Sequence, residues 1–163
     1  MTESLYFEDF EVGVLRETER RVVTEDDVEA FALVSGDMNP LHLDETYASR
    51  TEFGGRIAHG LLGLSIASGL LNRSKLTHGT LLAFLGLTWE FRRPIRFGAS
   101  VRVAHRVDSM RETRRPGRGI VVLDVRLLDD SDETLQEGEF KLLVKRRETE
   151  PTDEEGLAPE SEG

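Results

Sequence analysis

The sequence predicts an α+β domain in which an antiparallel sheet wraps around one buried helix. Residues 60–71 carry no charge and mix Leu or Ile with Gly, Ala and Ser on every side. A helix of this kind has to be buried all round. Four segments after it have strand character, residues 80–91, 100–107, 120–128 and 139–145. Wrapping a sheet around the helix is the simplest way to bury it in a chain of 163 residues.

The elements before the buried helix are a strand and a capped helix. A further strand is expected at residues 13–23. Thr24 then supplies an N-cap hydroxyl, and the acidic residues 25–27 suit the positive end of a helix dipole. Gly36 can end this helix in a left-handed conformation, so Asp37 is delivered directly at the helix exit.

The segment after this helix holds a candidate acid/base pair. The Asn39-Pro40 step cannot stay helical, which predicts a bent loop carrying both Asp37 and His42. Asp44 can cap a short helix that follows. A carboxylate and an imidazole five positions apart could reach one small molecule, which we take to be water.

Turn residues divide the second half of the chain. They lie at residues 93–94, 115–119 and 129–133, and each has the length of a hairpin connection in an antiparallel sheet. No internal repeat and no second domain is visible. We therefore expect one domain over residues 1–147, followed by a tail at 148–163.

The charge is concentrated in that tail. The chain has a net charge of −10, but residues 148–163 contain seven acidic side chains and no basic one, which leaves −3 for residues 1–147. The tail also has almost no apolar content, so we expect it to be disordered and solvated. A nearly balanced body with few aromatic residues argues against a nucleic-acid-binding protein.

The composition excludes several other classes. There is no cysteine, which removes disulfides, thiol nucleophiles and zinc-thiolate sites and fits a cytoplasmic enzyme. The N-terminus has neither a basic region nor an apolar run, so no signal peptide is expected. The uncharged stretch at residues 60–72 is too short and too rich in small residues to span a bilayer.

Residues 31–48 contain a characteristic set of residues, which consists of Phe31, Leu33, Gly36, Asp37, Asn39, Pro40, Leu41, His42 and Ala48. This set resembles the hydratase signature of the MaoC-like, (R)-specific enoyl-CoA hydratase family. Residues 57–62 and 68–71 resemble the family's central-helix segment at the same spacing. The resemblance extends more loosely through residues 93–98 to about residue 146 and excludes the tail.

This resemblance implies a hot-dog fold, in which an antiparallel sheet wraps a long central helix. It implies reversible syn addition of water to a trans-2-enoyl-coenzyme A, giving the (R)-3-hydroxyacyl thioester. Coenzyme A is then part of the substrate, and no metal or other cofactor is expected. Family members usually pair as homodimers with active sites near the subunit interface, and a higher oligomer is possible.

The implied reaction needs two sets of catalytic groups, one for proton transfer and one for the thioester oxygen. Asp37 and His42 would hold the water, one taking its proton while the pair returns a proton to the α-carbon on the same face; which one is the formal base stays open. The second set stabilises the thioester oxygen. Backbone N–H groups in a helix's first turn are unpaired, and we assign the Gly60 N–H to this oxygen.

Three other residues are expected near the reacting groups. Asn39 should fix the loop through hydrogen bonds between its side chain and the backbone. His59 is expected to support the site from behind, with simple packing as the alternative. Ser68 could bond near the substrate, although a buried serine in a tightly packed helix is as often only a small residue. The remaining histidines, His78 and His105, have no motif around them and are interpreted as structural or surface residues.

Two arginine clusters could meet the phosphates of coenzyme A. One consists of Arg111, Arg114, Arg115 and Arg118, and the other of Arg92, Arg93 and Arg96. Two alternative functions stay open as well, a hot-dog acyl-CoA thioesterase and a non-catalytic module that binds acyl-CoA. The acyl-chain length depends on the floor of the pocket, which the sequence does not define.

Overall fold

The structure, a computed structural model, describes residues 4–147 of the chain. Its main feature is a six-stranded antiparallel sheet in the order β1-β4-β5-β6-β3, with β2 paired to the first residues of β4. The strands are β1 (Leu15–Glu17), β2 (Arg21–Val22), β3 (Leu81–Phe91), β4 (Ser100–Glu112), β5 (Arg118–Leu128) and β6 (Thr134–Lys145). The four long strands agree with the segments predicted for the second half of the chain, except that β3 begins at Leu81 and not at Thr80.

The helices lie between β2 and β3. They are α1 (Glu25–Ser35), α2 (Pro40–Leu43), α3 (Glu45–Ala48) and α4 (Gly60–Arg73), and a 3-10 turn at Phe7–Asp9 precedes the sheet. None of the helices in residues 4–147 is long and apolar enough to cross a membrane. A helix follows Thr24, another follows Asp44 and a third includes residues 60–71, in agreement with the helices that the sequence predicts.

One hydrophobic core joins α4 to the sheet. From α4 it takes Leu62, Ile66, Ala67, Leu70 and Leu71, and from the sheet it takes alternate residues of β4, β5 and β6. Burial of each such aliphatic side chain contributes about 1.5–3 kcal/mol. The antiparallel sheet therefore packs against α4, and the predicted hot-dog fold is confirmed.

The α4 helix is not buried on every side, contrary to the prediction. Leu61 is 58% exposed, and Ser65, Ser68 and Gly69 are exposed as well. The sheet of one chain covers only one face of the helix. The apolar character of the other face therefore requires a different explanation from packing within residues 4–147.

Two strand predictions are corrected. Residues 13–23 form two short strands rather than one, both paired with β4. The turn at residues 93–94 is not a hairpin, because β3 pairs with β6 and β4 pairs with β5. The segment between β3 and β4 crosses over the end of the sheet instead, where the Ala58 N–H donates to the Ile95 carbonyl at 2.9 Å.

The acidic tail at residues 148–163 lies outside the described residues. Its disorder and the domain boundary at residue 147 therefore stay predictions.

Candidate active site

The α1 helix ends where the sequence predicts and presents Asp37 to solvent. The Thr24 hydroxyl accepts a hydrogen bond from the Asp27 N–H at the start of the helix. At its end Gly36 has φ 77°, a left-handed conformation that glycine adopts without steric cost. Asp37 follows directly and is exposed.

Two side-chain to backbone bonds shape the segment between the two candidate catalytic residues. Asp37 Oδ1 accepts from the Asn39 N–H at 3.2 Å, and Asn39 Oδ1 accepts from the Leu41 N–H at 3.0 Å. Asn39 is thereby the N-cap of α2, with Pro40 as its first residue. His42 is thus on a helical turn and not on the predicted loop, because proline ends one helix but is favourable at the first position of the next.

The half-buried His42 ring has a defined orientation. Its Nδ1 lies 2.8 Å from the carbonyl oxygen of Ile57. A carbonyl only accepts, so Nδ1 must carry a proton. In the neutral ring the lone pair is then on Nε2, which makes Nε2 the atom able to accept a proton.

His59 connects the Asp37 segment to the start of α4. It is 2% exposed, and its Nε2 lies 2.9 Å from the Asp37 carbonyl oxygen. Its ring centroid is 3.8 Å from that of His42 at an interplanar angle of 32°, and 5.0 Å from that of Phe31. His59 Nδ1 is buried and has no hydrogen-bond partner among residues 4–147. The contacts are those of a residue that fixes both candidate catalytic groups.

These three side chains form one polar cluster. One ligand-type atom from each of Asp37, His42 and His59 lies within 4.8 Å of the others. Two imidazoles and a carboxylate are chemically able to hold a divalent ion. The same three groups are also able to hold and deprotonate a water, so the expectation of a metal-free site stays a prediction.

Gly60 begins α4 beside this cluster. No acceptor within residues 4–147 bonds its N–H or that of Leu61. A Cβ at Gly60 would lie 2.9 Å from two carbons of the Phe91 ring, so only glycine fits without a shift. Gly60 and His42 line the same cleft of about 300 Å³, which continues along Phe91, Arg92, Arg93 and Pro94.

Gln136 on β6 contacts this site, although no motif in the sequence indicates it. It is 1% exposed, and it stands opposite Phe91 in the register of β3 and β6. Its amide accepts from Trp89 Nε1 and donates to the Gly60 carbonyl, both at 3.0 Å. Gln136 lies in phase with the buried Phe140, Leu142 and Val144 of β6, and a polar residue on that apolar face is the signal that would have pointed to it.

Ser68 is not part of this group. It is exposed on α4 and lines a separate cleft of about 190 Å³ together with Leu71 and Phe84. Eight residues along a helix correspond to about 12 Å, which separates it from Gly60. The expectation that Ser68 lies in a tightly packed part of the helix is wrong for a single chain.

The two arginine clusters have different positions. Arg92 and Arg93 line the cleft that contains His42 and Gly60. The residues of the other cluster, at the connection between β4 and β5, do not line that cleft. His78 is exposed, and His105 is buried in β4, where burial and the nearby Arg16 lower its pKa to about 4.

Comparisons with known proteins agree with the fold and the sequence motif. The MaoC like domain matches residues 10–126. The 3-hydroxybutyryl-CoA dehydratase of Methylorubrum extorquens is 38% identical over 144 residues, which cover 88% of this chain and 87% of that protein.

Two solved structures extend this comparison. The (R)-hydratase from Aeromonas caviae involved in PHA biosynthesis is 32% identical, with a TM-score of 0.70 over 85% of this chain and 98% of the other. A Mycobacterium tuberculosis protein with a double hotdog fold has a TM-score of 0.76 at 19% identity, over 98% of this chain and 53% of the other, and supports the fold alone. The chain belongs to the MaoC-like dehydratase family of hydro-lyases, which includes the (R)-specific enoyl-CoA hydratases.

Proposed function

We propose that this protein is an (R)-specific enoyl-CoA hydratase, or the equivalent 3-hydroxyacyl-CoA dehydratase, that adds water reversibly to a trans-2-enoyl-CoA. The observation that carries the proposal is the meeting of Asp37, His42 and His59 within 4.8 Å, with His42 opening into the same cleft as Gly60. The cleft can hold water beside His42 and a thioester oxygen beside Gly60.

The tautomer of His42 supports a division of labour. Because Nδ1–H donates to Ile57, Nε2 is free to take a proton from water. The Asp37 carboxylate accepts from Asn39 through one oxygen, which leaves the second oxygen for the other hydrogen of the water. We assign His42 as the base and Asp37 as the group that orients the water.

The reaction then balances without any redox change. The water oxygen forms a bond to C3 while His42 Nε2 takes a proton, and negative charge moves through C2 to the thioester oxygen. The Gly60 N–H stabilises that oxygen. The proton on Nε2 is then delivered to C2, on the face from which the water added, which gives syn stereochemistry. We assign no metal or other cofactor, and coenzyme A enters as part of the substrate.

Similarity to a 3-hydroxybutyryl-CoA dehydratase supports a short acyl chain and crotonyl-CoA as the first substrate to test. The assay follows the absorbance of the conjugated enoyl thioester together with free thiol, and the stereochemistry of the product. We expect loss of absorbance, (R)-3-hydroxybutyryl-CoA and no thiol. Activity should survive dialysis against a chelator. Thiol release would indicate a thioesterase instead, and binding without either change would indicate a non-catalytic module.

The cleft continues toward Arg92 and Arg93, which supports them as the contacts for the phosphates of coenzyme A. The phosphates carry negative charge, and guanidinium groups bind such oxygens in pairs. The more distant cluster at Arg111 to Arg118 has no such connection to the cleft.

We also propose that the protein is a homodimer that pairs through β3. This strand pairs only with β6 among the described strands, which leaves one edge free. The apolar residues Leu81, Leu82, Phe84, Leu85, Leu87 and Phe91 are exposed along it. Sedimentation of the full chain should give twice the mass of 18.3 kDa, and Leu85→Lys should lower it; a wild-type monomer would contradict the proposal. A cytoplasmic location, suggested by the cysteine-free sequence, stays part of the proposal.

A further inference from the structure

The start of α4 is held by a side chain that is distant in sequence. Gln136 lies 76 positions from Gly60, yet its Nε2 donates to the Gly60 carbonyl at 3.0 Å. Its Oε1 accepts from Trp89 Nε1 at the same distance. The two bonds form a relay from β3 through β6 to the first residue of the helix.

The orientation of the Gln136 amide follows from its partners. The indole N–H of Trp89 only donates and the Gly60 carbonyl only accepts, so the oxygen must face Trp89 and the nitrogen must face Gly60. Neither bond survives rotation of the amide. The side chain is almost fully buried, where an unpaired polar group costs about 1–3 kcal/mol. The relay is therefore fixed in one arrangement.

This bond acts on a specific peptide plane. The Gly60 carbonyl and the Leu61 N–H belong to the same planar unit, so fixing the first also sets the direction of the second. On the other side of Gly60 the Phe91 ring leaves no room for a Cβ. The amide of Gln136 also fills the space that a Cβ at Gly63 would need, with contacts of 2.7 Å or less. The first turn of α4 is thus held from both sides.

We propose that Gln136 is a positioning residue, which with Trp89 holds the first peptide unit of α4, and so places the Leu61 N–H beside that of Gly60 at the position of the thioester oxygen. The inference rests on the proposed function, because it assumes that a thioester binds at this helix start. Gln136 acts through Gly60 and takes no part in proton transfer. A donor that is displaced from the oxygen loses its effect in the transition state more than in binding.

Gln136→Met tests this role, since it keeps the length of the side chain and removes both hydrogen bonds. We expect kcat for crotonyl-CoA to fall about 10- to 100-fold, less than for loss of a whole oxyanion donor. KM should change by less than about threefold, because ground-state binding is largely kept. Val144→Ala is the matched control. It alters a fully buried residue on the same strand, eight positions from Gln136, and should leave kcat unchanged.

A spectroscopic readout separates positioning from a general loss of structure. The carbonyl stretch of isotope-labelled crotonyl-CoA is measured on the slow Asp37→Asn protein, with and without Gln136→Met. Polarisation by the helix start lowers this frequency, and Gln136→Met should return it toward the value in solution. A folded Gln136→Met protein with normal kcat and an unchanged carbonyl frequency would overturn the inference.

Trp89→Phe is the second variant, which keeps an aromatic ring beside Phe140 and removes only the donor to Gln136. It should lower kcat by a smaller factor than Gln136→Met does. When it is combined with Gln136→Met, it should cause no further fall in kcat. If Gln136→Met does not fold, a normal kcat and carbonyl frequency in Trp89→Phe overturns the inference. A wild-type protein that does not hydrate crotonyl-CoA overturns the proposed function as well, whereas normal wild-type hydration with unaffected variants overturns only the role of Gln136.

Discussion

The two halves of the candidate site are held in place by different kinds of contact. The half with Asp37 and His42 is built mainly from bonds between near neighbours, such as Asn39 to Asp37 and Leu41 to Asn39. The half at Gly60 is held by Gln136 and Phe91, which come from strands far along the chain. Local contacts leave a pattern in the sequence that can be read directly, whereas distant contacts do not.

His59 joins the two halves. It bonds the Asp37 carbonyl, stacks on His42 and immediately precedes Gly60. One buried ring therefore contacts both halves of the site. We therefore expect variants in the first half to impair proton transfer, and variants in the second half to weaken stabilisation of the negative charge on the thioester oxygen.

The largest effect is expected in the first half. Asp37→Asn and His42→Ala should each lower kcat about 10²- to 10⁴-fold, the usual contribution of a positioned acid or base. Both residues are at least partly exposed, so the unfolding midpoint should change little. Steady-state kinetics with crotonyl-CoA and denaturant unfolding measure the two quantities. Near-normal turnover in either variant would contradict the assignment of this half.

Gly60→Ala tests the second half. The added Cβ would lie 2.9 Å from the Phe91 ring, so the helix start or the ring must move. We expect kcat to fall about 10²-fold, near the lower limit for loss of an oxyanion donor. Gly69→Ala is the control on the same helix, because its Cβ would meet nothing within 4 Å. Equal activity of the two variants would show that the position of the helix start does not matter.

Loss of activity at low pH has to be distinguished from unfolding at low pH before the pH dependence of activity is used to compare the two halves. His105 lies outside the site, and its pKa is lowered from 6.5 to about 4 by burial and by Arg16. Since the unfolded state binds the proton first, this residue's contribution is complete above about pH 6.5 and is lost as the pH falls toward 4.

The lowered pKa of His105 corresponds to about 3 kcal/mol of folding stability, which is lost at low pH. His105→Leu should therefore flatten the fall in the free energy of unfolding between pH 7 and pH 4 by up to this amount. Urea unfolding at several pH values measures it. An unchanged pH dependence would show that His105 does not control acid stability.

A smaller effect is expected where the cleft leaves the site. Arg93→Gln should raise KM for crotonyl-CoA about twofold to fivefold, which corresponds to the free energy of an exposed ion pair. The control is the crotonyl thioester of N-acetylcysteamine, which has the reacting atoms but no phosphate. Its KM should not change. A similar rise for both substrates would place the effect at the reacting end instead of at the phosphates.

Ser68→Ala should have the smallest effect. Ser68 is exposed and lines a cleft different from that of His42 and Gly60. We expect kcat for crotonyl-CoA within about twofold of wild type, because an exposed substitution away from the site changes little. Loss of activity on this substrate would mean that the substrate reaches the second cleft.

The sequence by itself determined the helix caps and the segment with Asp37 and His42. Thr24, Gly36 and Asn39 act on backbone groups within a few positions, so their residue types are enough to predict what they do. Even there, the sequence predicts a loop at Pro40, where the structure has the first residue of α2. The same residue type that ends one helix is favourable at the first position of another.

Only the tertiary structure decided how the other half is built. The pairing of β3 with β6 instead of β4 places Gln136 and Phe91 against Gly60, and no local pattern specifies that order of strands. It also decided the tautomer of His42, through the Ile57 carbonyl, and the exposure of one face of α4. Such contacts depend on which distant segments pack together. Hydrophobic burial alone is compatible with many packing arrangements, because the hydrophobic effect is non-directional.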